Sequence, residues 1–304
     1  MGDLSAKLLS PKLLIALLRP LPRNAMSRLA GRLASLRLPQ PLQRWLILGF
    51  ARTFGVDLDE VRDPLESFPS IQAFFTRALA EGSRPIDGAP EAFVAPCDGA
   101  WGEAGRVEGG LVLQLKGRPY SLAQLLGCEE AARSFEGGSY ATFYLSPRDY
   151  HRFHAPCAAR VEALRYVPGS LWPVNRAGLL EIDGLFAQNE RICAFMEPVF
   201  SENAEGGAGG LCLVAVGATM VGKIRLSFDD LSTNRRAASR AQRSFGAEGP
   251  RLAKGEEWGR FEFGSTLVAL AAPGLLVLDE HPPGQPLAMG QRIGTLRSTG
   301  NTFA

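Results

Sequence analysis

YATFYLSPRDYHRFHAPCAARVEALRYV, residues 140–167, is the stretch of sequence that says most about the fold. It contains two β-type segments, residues 140–145 and 161–167, which are rich in aromatic and branched side chains. Between them lie two prolines and a run of polar residues, so we expect a loop there. The stretch therefore predicts two strands of a β-rich body, with a loop that contains two histidines.

Segments of the same β type recur along the rest of the chain, with glycine and proline between them. They fall at residues 111–115, 211–216, 224–228, 267–270 and 275–278. Helical patterns do not alternate with these segments, which argues against βαβ units. The sequence predicts an α+β fold: a β-rich catalytic body of mainly antiparallel strands, preceded by short amphipathic helices. Residues 229–249 are polar and lack a strand pattern, so we expect a loop there.

Three short helices are predicted at the N-terminus, and a fourth follows them. Ser10 precedes a proline and is a typical N-cap, Asn24 is interpreted as the cap of the second helix, and Gly55 closes the third. The fourth helix is predicted over residues 71–80, with Ser70 as its cap. Leucines at helical spacing lie beside arginines in the second helix, so it is amphipathic.

Positive charge is concentrated in this helical region. Residues 1–52 carry nine basic side chains and one acidic one, a net charge of +8, whereas residues 53–304 carry −6. The larger part therefore does not favour nucleic acid. Trp45 and Phe50 lie among leucines and arginines, as in helices that lie in a lipid headgroup region. Core-packing helices with solvated arginines are the alternative, but the near absence of acidic residues favours an anionic membrane surface.

The cysteines and apolar runs exclude several classes of protein. Five widely separated cysteines without a C-x-x-C pair predict neither a disulfide framework nor a zinc site, and they favour a reducing compartment. The first apolar run is followed by Arg19 and a proline instead of a cleavage site, so no secretory signal is predicted. The apolar run at residues 45–51 is far shorter than the roughly 20 residues of a spanning helix, so no transmembrane segment is predicted.

Histidine is scarce, and two of the three histidines lie close together. His151 and His154 are three residues apart in the quoted stretch, and His281 is distant in sequence. A reaction that needs a base near neutral pH would use one of this pair. The alternative is that both are polar loop residues that satisfy backbone groups. Metal ligation is not favoured, because no further histidine or cysteine-rich set accompanies the pair.

The sequence offers no familiar serine-hydrolase signature. No serine lies in a G-x-S-x-G motif, and the Gly264-Ser265 step falls between two β-type segments, where a glycine allows close approach or a bulge. Asp98 precedes a glycine, which most often marks a turn. A carboxylate in such a turn can also orient a histidine and stabilise its protonated form. These patterns alone leave the chemistry open.

Taken in order, the motifs resemble the phosphatidylserine decarboxylase family over most of the chain. The matching segments are Phe74-Phe75-Thr76-Arg77, Arg84-Pro85-Ile86, Pro96-Cys97-Asp98-Gly99, the histidine motif at residues 144–156, Val216-Gly217-Ala218-Thr219-Met220-Val221-Gly222, and Lys254-Gly255-Glu256 through Gly264-Ser265-Thr266. Each motif is weak by itself, and the ordered set is highly specific. Phe263 stands where leucine is common and Lys223 where a small residue is usual, and neither departure removes a reacting group.

The resemblance implies a self-processing triad of Asp98, His154 and Ser265. Asp98 orients His154, His154 takes the hydroxyl proton of Ser265, and the oxygen attacks the carbonyl of Gly264. This self-cleavage converts Ser265 into a covalent pyruvoyl cofactor. The cofactor forms a Schiff base with phosphatidylserine and promotes its decarboxylation to phosphatidylethanolamine. His151 is the candidate for protonating or binding the substrate, although His154 could serve twice.

The resemblance also predicts how the chain is divided. Self-cleavage gives a 1–264 chain and a 265–304 chain that stay associated, and a homodimer is left open. Residues 1–56 are the membrane-associating helical region, and residues 57–304 form the decarboxylase domain. Residues 1–52 bind an anionic membrane surface, so the enzyme is expected as a peripheral protein on the cytoplasmic face of a bacterial-type cell membrane. No metal and no nucleic acid are expected.

Three rival functions remain at this point. A serine lipase would keep an uncut serine and show esterase activity. A non-catalytic membrane-binding module would not cleave itself. A decarboxylase of a soluble amino acid would differ from a phospholipid decarboxylase only in its substrate.

Overall fold

The computed structural model describes residues 10–114, 117–200, 210–219, 223–234, 240–262 and 266–297. The helices are α1 (Pro11–Leu18), α2 (Arg23–Ala34), α3 (Gln40–Phe54), α4 (Ile71–Phe75), α5 (Leu122–Leu126), α6 (Glu129–Arg133), α7 (Arg176–Glu181) and α8 (Leu185–Gln188). The strands are β1 (Ala92–Val94), β2 (Gly99–Arg106), β3 (Leu111–Gln114), β4 (Arg118–Ser121), β5 (Ser139–Tyr144), β6 (Arg152–His154), β7 (Ala159–Val167), β8 (Arg191–Pro198), β9 (Leu211–Val216), β10 (Ile224–Leu226), β11 (Ala241–Ser244), β12 (Arg251–Leu252), β13 (Glu257–Phe261), β14 (Thr266–Ala271), β15 (Leu276–Leu278), β16 (Pro286–Leu287) and β17 (Arg292–Leu296). Leu65–Ser67 and Gly246–Glu248 are short 3₁₀ helices.

A nine-stranded sheet forms the centre of the described fold. Eight of its strands follow the order β11-β7-β8-β9-β14-β5-β2-β16, and β12 pairs with β7. Two three-stranded sheets have the orders β1-β17-β15 and β10-β13-β6, and β3 pairs with β4. The pairings between these strands are antiparallel. The α+β, mainly antiparallel fold that the sequence predicts is confirmed.

Both faces of the central sheet are covered, which is why its middle strands β9 and β14 are completely buried. On β14, Leu267 and Ala269 pack in a core with the two three-stranded sheets. Val268 and Leu270, on the opposite face, pack under α5, α7 and α8. Alternate side chains of a strand point to opposite faces, so a strand covered on both sides has no solvent-exposed position. All six residues of β14 are buried.

Two of the predicted caps are confirmed and one is wrong. The Ser10 hydroxyl accepts a hydrogen bond from the Leu13 amide at 3.3 Å, and Gly55 ends α3 with φ +76°, in the left-handed region. Asn24 does not cap α2, because the helix begins at Arg23 and Asn24 is its second residue. The Asn24 side-chain amide donates to the carbonyl of Gly169 at 2.9 Å, so this side chain holds α2 against the body instead.

The fourth predicted helix begins where expected and ends early. Ser70 caps α4 by accepting from the Ala73 amide at 3.2 Å. The predicted end at residue 80 is wrong, since α4 ends at Phe75. The chain then turns to pair with an earlier segment: Leu79 forms a β-bridge with Val61, and the Ala80 amide donates to the Glu60 carbonyl at 2.8 Å. A tertiary pairing has replaced the last helical turns.

Each predicted β segment falls on a strand, with ends shifted by a few residues, and Leu115 lies outside the described residues. The loop expected over residues 229–249 is wrong in part, because β11 pairs there with β7 as an edge strand with mostly exposed side chains. The sequence reading also missed β1, β2, β4, β6, β8, β12, β13, β16 and β17. Of these, β6 lies inside the loop expected to hold the two histidines, so that loop is wrong in part. In β2 the glycines misled the sequence reading, although Gly102 is required by close packing: a Cβ there would lie 2.5 Å from the Tyr144 ring.

The N-terminal helices leave many apolar side chains exposed. In α2, Leu29 and Leu33 are 56% and 59% exposed, and the buried residue of the helix is Ser27. Leu36, just after the helix, is 52% exposed. These belong to the exposed apolar set, which is Leu13, Leu17, Leu21, Leu29, Leu33, Leu36, Leu42, Trp45 and Phe54. The polar side of α2 faces the body, where the Arg23 guanidinium stacks on the Trp172 ring at 3.5 Å.

No helix in the described part of the chain is both long and apolar enough to cross a membrane. The five cysteines are free thiols, and Cys97, Cys157, Cys193 and Cys212 are buried.

Candidate functional site

The candidate site lies at one end of the central sheet, where β5, β9 and β14 meet. Thr266 is the first residue of β14 and pairs with Tyr144, the last residue of β5, and with Val216, the last residue of β9. Thr266 directly follows Ser265 in sequence. Phe263, Gly264 and Ser265 lie outside the described residues, and so does the cleavage site that the sequence predicts.

The residues just before this gap lie beside two of the motifs. The Phe261 amide donates to the carbonyl of His151 at 2.9 Å, and the Glu262 amide donates to the carbonyl of Lys223 at 2.8 Å. Phe261 and Glu262 therefore lie next to the histidine motif and the glycine motif of residues 216–222, and the described chain resumes at Thr266. Of that glycine motif, Met220, Val221 and Gly222 lie outside the described residues.

His154 is buried, and its hydrogen bonds define which ring nitrogen carries the proton. It ends β6, which pairs with β13, and its ring Nδ1 lies 2.9 Å from the carbonyl oxygen of Gly255. A carbonyl only accepts, so Nδ1 carries the proton and Nε2 holds a lone pair. The Tyr150 hydroxyl lies 3.2 Å from Nε2 and donates to it. Burial lowers the pKa of His154, which favours this neutral tautomer.

His151 is completely buried and neutral. Its Nδ1 donates to the carbonyl of Asp149 at 2.8 Å, and its ring lies 3.9 Å from the ring of Phe75, centroid to centroid. Burial lowers the pKa of His151 to about 3, and the nearby Arg77 cation acts in the same direction. Nε2 has no hydrogen-bond partner within the described parts of the chain. This nitrogen is an unpaired acceptor beside the point where the chain enters the gap.

Asp98 is buried on a turn, where two other segments hold its carboxylate. The Arg84 guanidinium binds it with two hydrogen bonds, Nε to Oδ1 at 2.8 Å and Nη2 to Oδ2 at 2.7 Å, and the Met289 amide donates to Oδ1 at 2.8 Å. His154 lies on an adjacent segment, because its amide donates to the carbonyl of Pro96 at 2.7 Å. Among the described contacts, the ring of His154 is oriented by Gly255 and Tyr150, and direct orientation by Asp98 stays a prediction.

Arg77 adds a buried cation to the site. Its side chain is almost fully buried, and Nη2 donates to the carbonyl of Arg148 at 2.8 Å. Its Nε and Nη1 have no partner among the residues that can be placed, and the same holds for the hydroxyl of Thr266. Buried polar atoms without partners are uncommon in folded proteins, so these donors mark a place where a ligand group can bind.

The third histidine lies elsewhere. His281 packs on Trp101, with ring centroids 4.9 Å apart, in an open groove of about 1050 Å³. Neither His151 nor His154 lines this groove. Groups of three or more metal-ligating side chains are not found in the described ranges.

Sequence reasoning missed four residues that the site uses, and Arg77 ends the first of the matched motifs. Tyr150 lies inside the quoted histidine motif, Gly255 follows Lys254 in a matched motif, and Arg84 begins another. The motifs therefore held the signal, but which side chain each residue contacts cannot be seen before the chain is folded.

Comparison with known proteins gives a consistent result. Residues 71–295 match the family described as phosphatidylserine decarboxylase. A phosphatidylserine decarboxylase proenzyme of Anaeromyxobacter sp. (strain K) is 41% identical over 288 residues, which cover 94% of this chain and 99% of the relative. The proenzyme of the same name from Myxococcus xanthus is 37% identical over 92% of this chain and 97% of its own length, and that from Brevibacillus brevis is 35% identical over 94% and 99%.

Proposed function

This chain belongs to the phosphatidylserine decarboxylase family, and from that premise we propose that Ser265 supplies a pyruvoyl cofactor with which it decarboxylates phosphatidylserine. The enzyme is a carboxy-lyase of phospholipid biosynthesis, and its products are phosphatidylethanolamine and carbon dioxide. The relatives are proenzymes, so the family is self-processing. The observation that carries the proposal is that Phe261, three residues before Gly264, is bonded to His151, and that Thr266, directly after Ser265, lies at the ends of β5 and β9.

Cleavage needs a base, a nucleophile and a carbonyl. His154 takes the proton of the Ser265 hydroxyl, the oxygen attacks the Gly264 carbonyl, and the peptide bond becomes an ester. Loss of the Ser265 α-proton then expels the Gly264 carboxylate and leaves dehydroalanine. Its enamine tautomerises to an imine, and water releases ammonia and leaves a ketone, the pyruvoyl group. Each step uses only water besides the chain itself.

His154 is suited to act as the base. Its neutral tautomer places the lone pair on Nε2, and the Tyr150 hydroxyl that donates to Nε2 must yield to Ser265 during the proton transfer. The Gly255 carbonyl holds the opposite nitrogen. The negative charge of Asp98 supports the imidazolium that forms after proton transfer, which is the role of the acidic residue in a catalytic triad.

The residues around the gap fit a buried ketone and an anionic substrate. When present, the pyruvoyl group supplies a carbonyl that binds the substrate amine and accepts electrons as carbon dioxide leaves. The unpaired Nε2 of His151 is available to hold or deliver a proton at the substrate α-carbon. The unpaired donors of Arg77 supply positive charge in the same buried region. Both residues exclude water by their burial and by the packing of Phe75.

The N-terminal region is proposed to bind the membrane. Residues 1–52 carry the net charge of +8, and the exposed apolar set lies among them, except for Phe54. Apolar side chains that enter the headgroup region gain about 25 cal/mol per Å² of buried surface, and each basic residue near anionic lipid contributes roughly 1 kcal/mol. Residues 1–56 are then the membrane-associating region and residues 57–304 the decarboxylase domain. The enzyme is a peripheral protein of the cytoplasmic face.

Intact mass of the purified protein tests this function. We expect residues 1–264 and a fragment of the last 40 residues, the smaller one lighter by one ammonia than a peptide that begins with serine. Ser265→Ala lacks the nucleophile and should remain full length and inactive. Ser244→Ala, an exposed position on β11, is the control and should mature normally.

Two results would overturn the proposal. Normal cleavage and decarboxylation by Ser265→Ala would remove the pyruvoyl mechanism. An uncut, active chain with esterase activity would indicate a lipase. A substrate comparison of phosphatidylserine with free serine separates a phospholipid decarboxylase from an amino-acid decarboxylase.

A further inference from the structure

Arg84 uses every donor of its guanidinium group. Nε and Nη2 donate to the Asp98 carboxylate at 2.8 and 2.7 Å. Nη1 and Nη2 donate to the Glu60 carboxylate at 2.7 and 2.8 Å, and Nη1 also donates to the carbonyl of Ser83 at 2.7 Å. An arginine has five N–H donors in a fixed plane, and all five are engaged here. A lysine could not reproduce this arrangement, because its ammonium group is a point charge without a planar fork.

The Arg84–Asp98 pair is shielded from solvent. The side chains of Arg84 and Asp98 are 15% and 8% exposed, whereas that of Glu60 is 35% exposed. A buried carboxylate that loses its cation is left uncompensated, which costs far more than the loss of a surface ion pair. Glu60 accepts hydrogen bonds from Nη1 and Nη2 of Arg84 and is a second counter-charge to the guanidinium. The hydrogen bonds from Arg84 lower the pKa of Glu60.

The backbone around Asp98 forms a frame with Arg84. The Met289 amide donates to Asp98, and the next residue, Gly290, accepts from the Asp87 amide at 3.0 Å. Asp87 lies three residues after Arg84 in sequence. The carboxylate is therefore held by two segments that are also bonded to each other, and its position does not depend on His154.

We propose that Arg84 is a positioning residue for self-cleavage: by clamping Asp98 with Glu60 as counter-charge, it fixes the carboxylate beside the segment that carries His154. This inference rests on the proposed role of Asp98 and His154 in maturation. Arg84 itself touches neither the scissile bond nor the substrate in this account. Glu60, from the segment that follows α3, thereby connects the N-terminal part of the chain to the processing site.

The test measures the rate of self-cleavage in freshly synthesised full-length chains. Arg84→Ala should cleave slowly, by roughly 10²-fold, the order expected for a misplaced catalytic group. Guanidinium ion at concentrations far below those that denature should restore part of the rate, and an equal concentration of sodium chloride should not. Arg84→Lys should be intermediate, since it restores the charge without the fork. Glu60→Gln should slow cleavage less than Arg84→Ala, because it leaves the Arg84–Asp98 pair in place.

Arg160→Ala is the matched control. Arg160 and Glu197 form an ion pair between β7 and β8 whose side chains are 18% and 6% exposed, close to the values of the Arg84–Asp98 pair. We expect this variant to lose stability and to cleave at the normal rate. Thermal unfolding of each substitution in a Ser265→Ala background gives the stability of the uncut form. If Arg84→Ala does not fold, Arg84→Lys and Glu60→Gln carry the test.

The outcomes separate this inference from the proposed function. If Ser265→Ala blocks cleavage and folded Arg84→Ala cleaves at the normal rate, the positioning role is wrong and the proposed function stands. If guanidinium has no effect and Arg160→Ala is slowed equally, Arg84 contributes only to stability and the inference fails. If Ser265→Ala still matures, the proposed function fails, whatever the Arg84 variants do.

Discussion

Helix α2 and strand β14 differ in the exposure of their apolar residues. All six residues of β14 are buried, whereas α2 exposes more than half of the surface of Leu29 and Leu33 and buries Ser27. The strand lies in the middle of a sheet covered on both faces, so each of its side chains finds a core. The helix turns its polar side to the body and its leucines outward. A pattern of apolar residues thus indicates that a segment packs against an apolar surface. Only the fold shows whether that surface is the protein's own core, as for β14, or lies outside the chain, as we propose for α2.

The contacts of α2 show how the helix is held in this orientation. Arg23 stacks on Trp172, Asn24 donates to Gly169, and the Arg28 guanidinium donates to the Asn234 side chain at 3.3 Å. These polar contacts leave the leucines free for an external apolar phase. In the proposed function the body supplies chemistry and the N-terminal region supplies attachment, so we expect the two roles to respond separately to substitution.

The largest expected effect is on maturation, and it should be confined to the body. His154→Ala lacks the base and should stay uncut, and Asp98→Asn should cleave slowly because it keeps the shape and loses the charge. A triple variant of Leu29→Ser, Leu33→Ser and Trp45→Ala should mature at the normal rate. Intact mass against time measures all of them. Failure of the folded triple variant to mature would show that the two regions are not separable.

The next effect concerns turnover after maturation. His151→Ala should still cleave and should decarboxylate a soluble short-chain phosphatidylserine roughly 10²–10⁴-fold more slowly, as expected for loss of a general acid or base. The activity of the matured fraction, counted by the mass of the small fragment, is the measurement. A normal rate in fully matured His151→Ala would mean that His151 only fills space against Phe75.

The buried histidine should also make the body sensitive to acid. The pKa of His151 is lowered to about 3 in the fold against the ordinary histidine value of 6.5, so the unfolded chain binds the proton more tightly. The free energy of unfolding should therefore be highest above pH 6.5 and fall by up to about 1.4 kcal/mol per pH unit as the pH drops toward 3. In uncut Ser265→Ala protein, His151→Gln should flatten this slope in denaturant unfolding series. An unchanged slope would assign the acid sensitivity to other groups, such as His154.

The smallest expected effects are on membrane attachment, where each substituted residue contributes only a small part of the affinity. In vesicle sedimentation, the triple variant should bind at least tenfold more weakly, and Arg32→Gln alone about fivefold more weakly on anionic lipid at low salt. Val277→Ser replaces a body residue that is 43% exposed and should bind like the unmodified protein. Equal binding by the triple variant would contradict the assignment of the exposed apolar set.

Much of the fold could be predicted because its signals are local. The run Leu211–Val216 was predicted as a strand and is β9, and Ser10, Gly55 and Ser70 sit at the helix boundaries expected of them. Asn24 failed because its side chain is used for a distant contact. The predicted end of the fourth helix at residue 80 failed for a similar reason, since Leu79 pairs with Val61.

The sequence by itself determined the family and the β-rich body and supplied the proposed reacting residues, since ordered motifs and apolar periodicity are properties of the chain. Only the tertiary structure decided that Gly255 and Tyr150 hold His154, that Arg84 holds Asp98, and which leucines are left exposed. These contacts join residues as far apart as Asp98 and Met289, 191 positions along the chain. Hydrogen bonds and burial depend on distance in space, and folding alone brings such residues together.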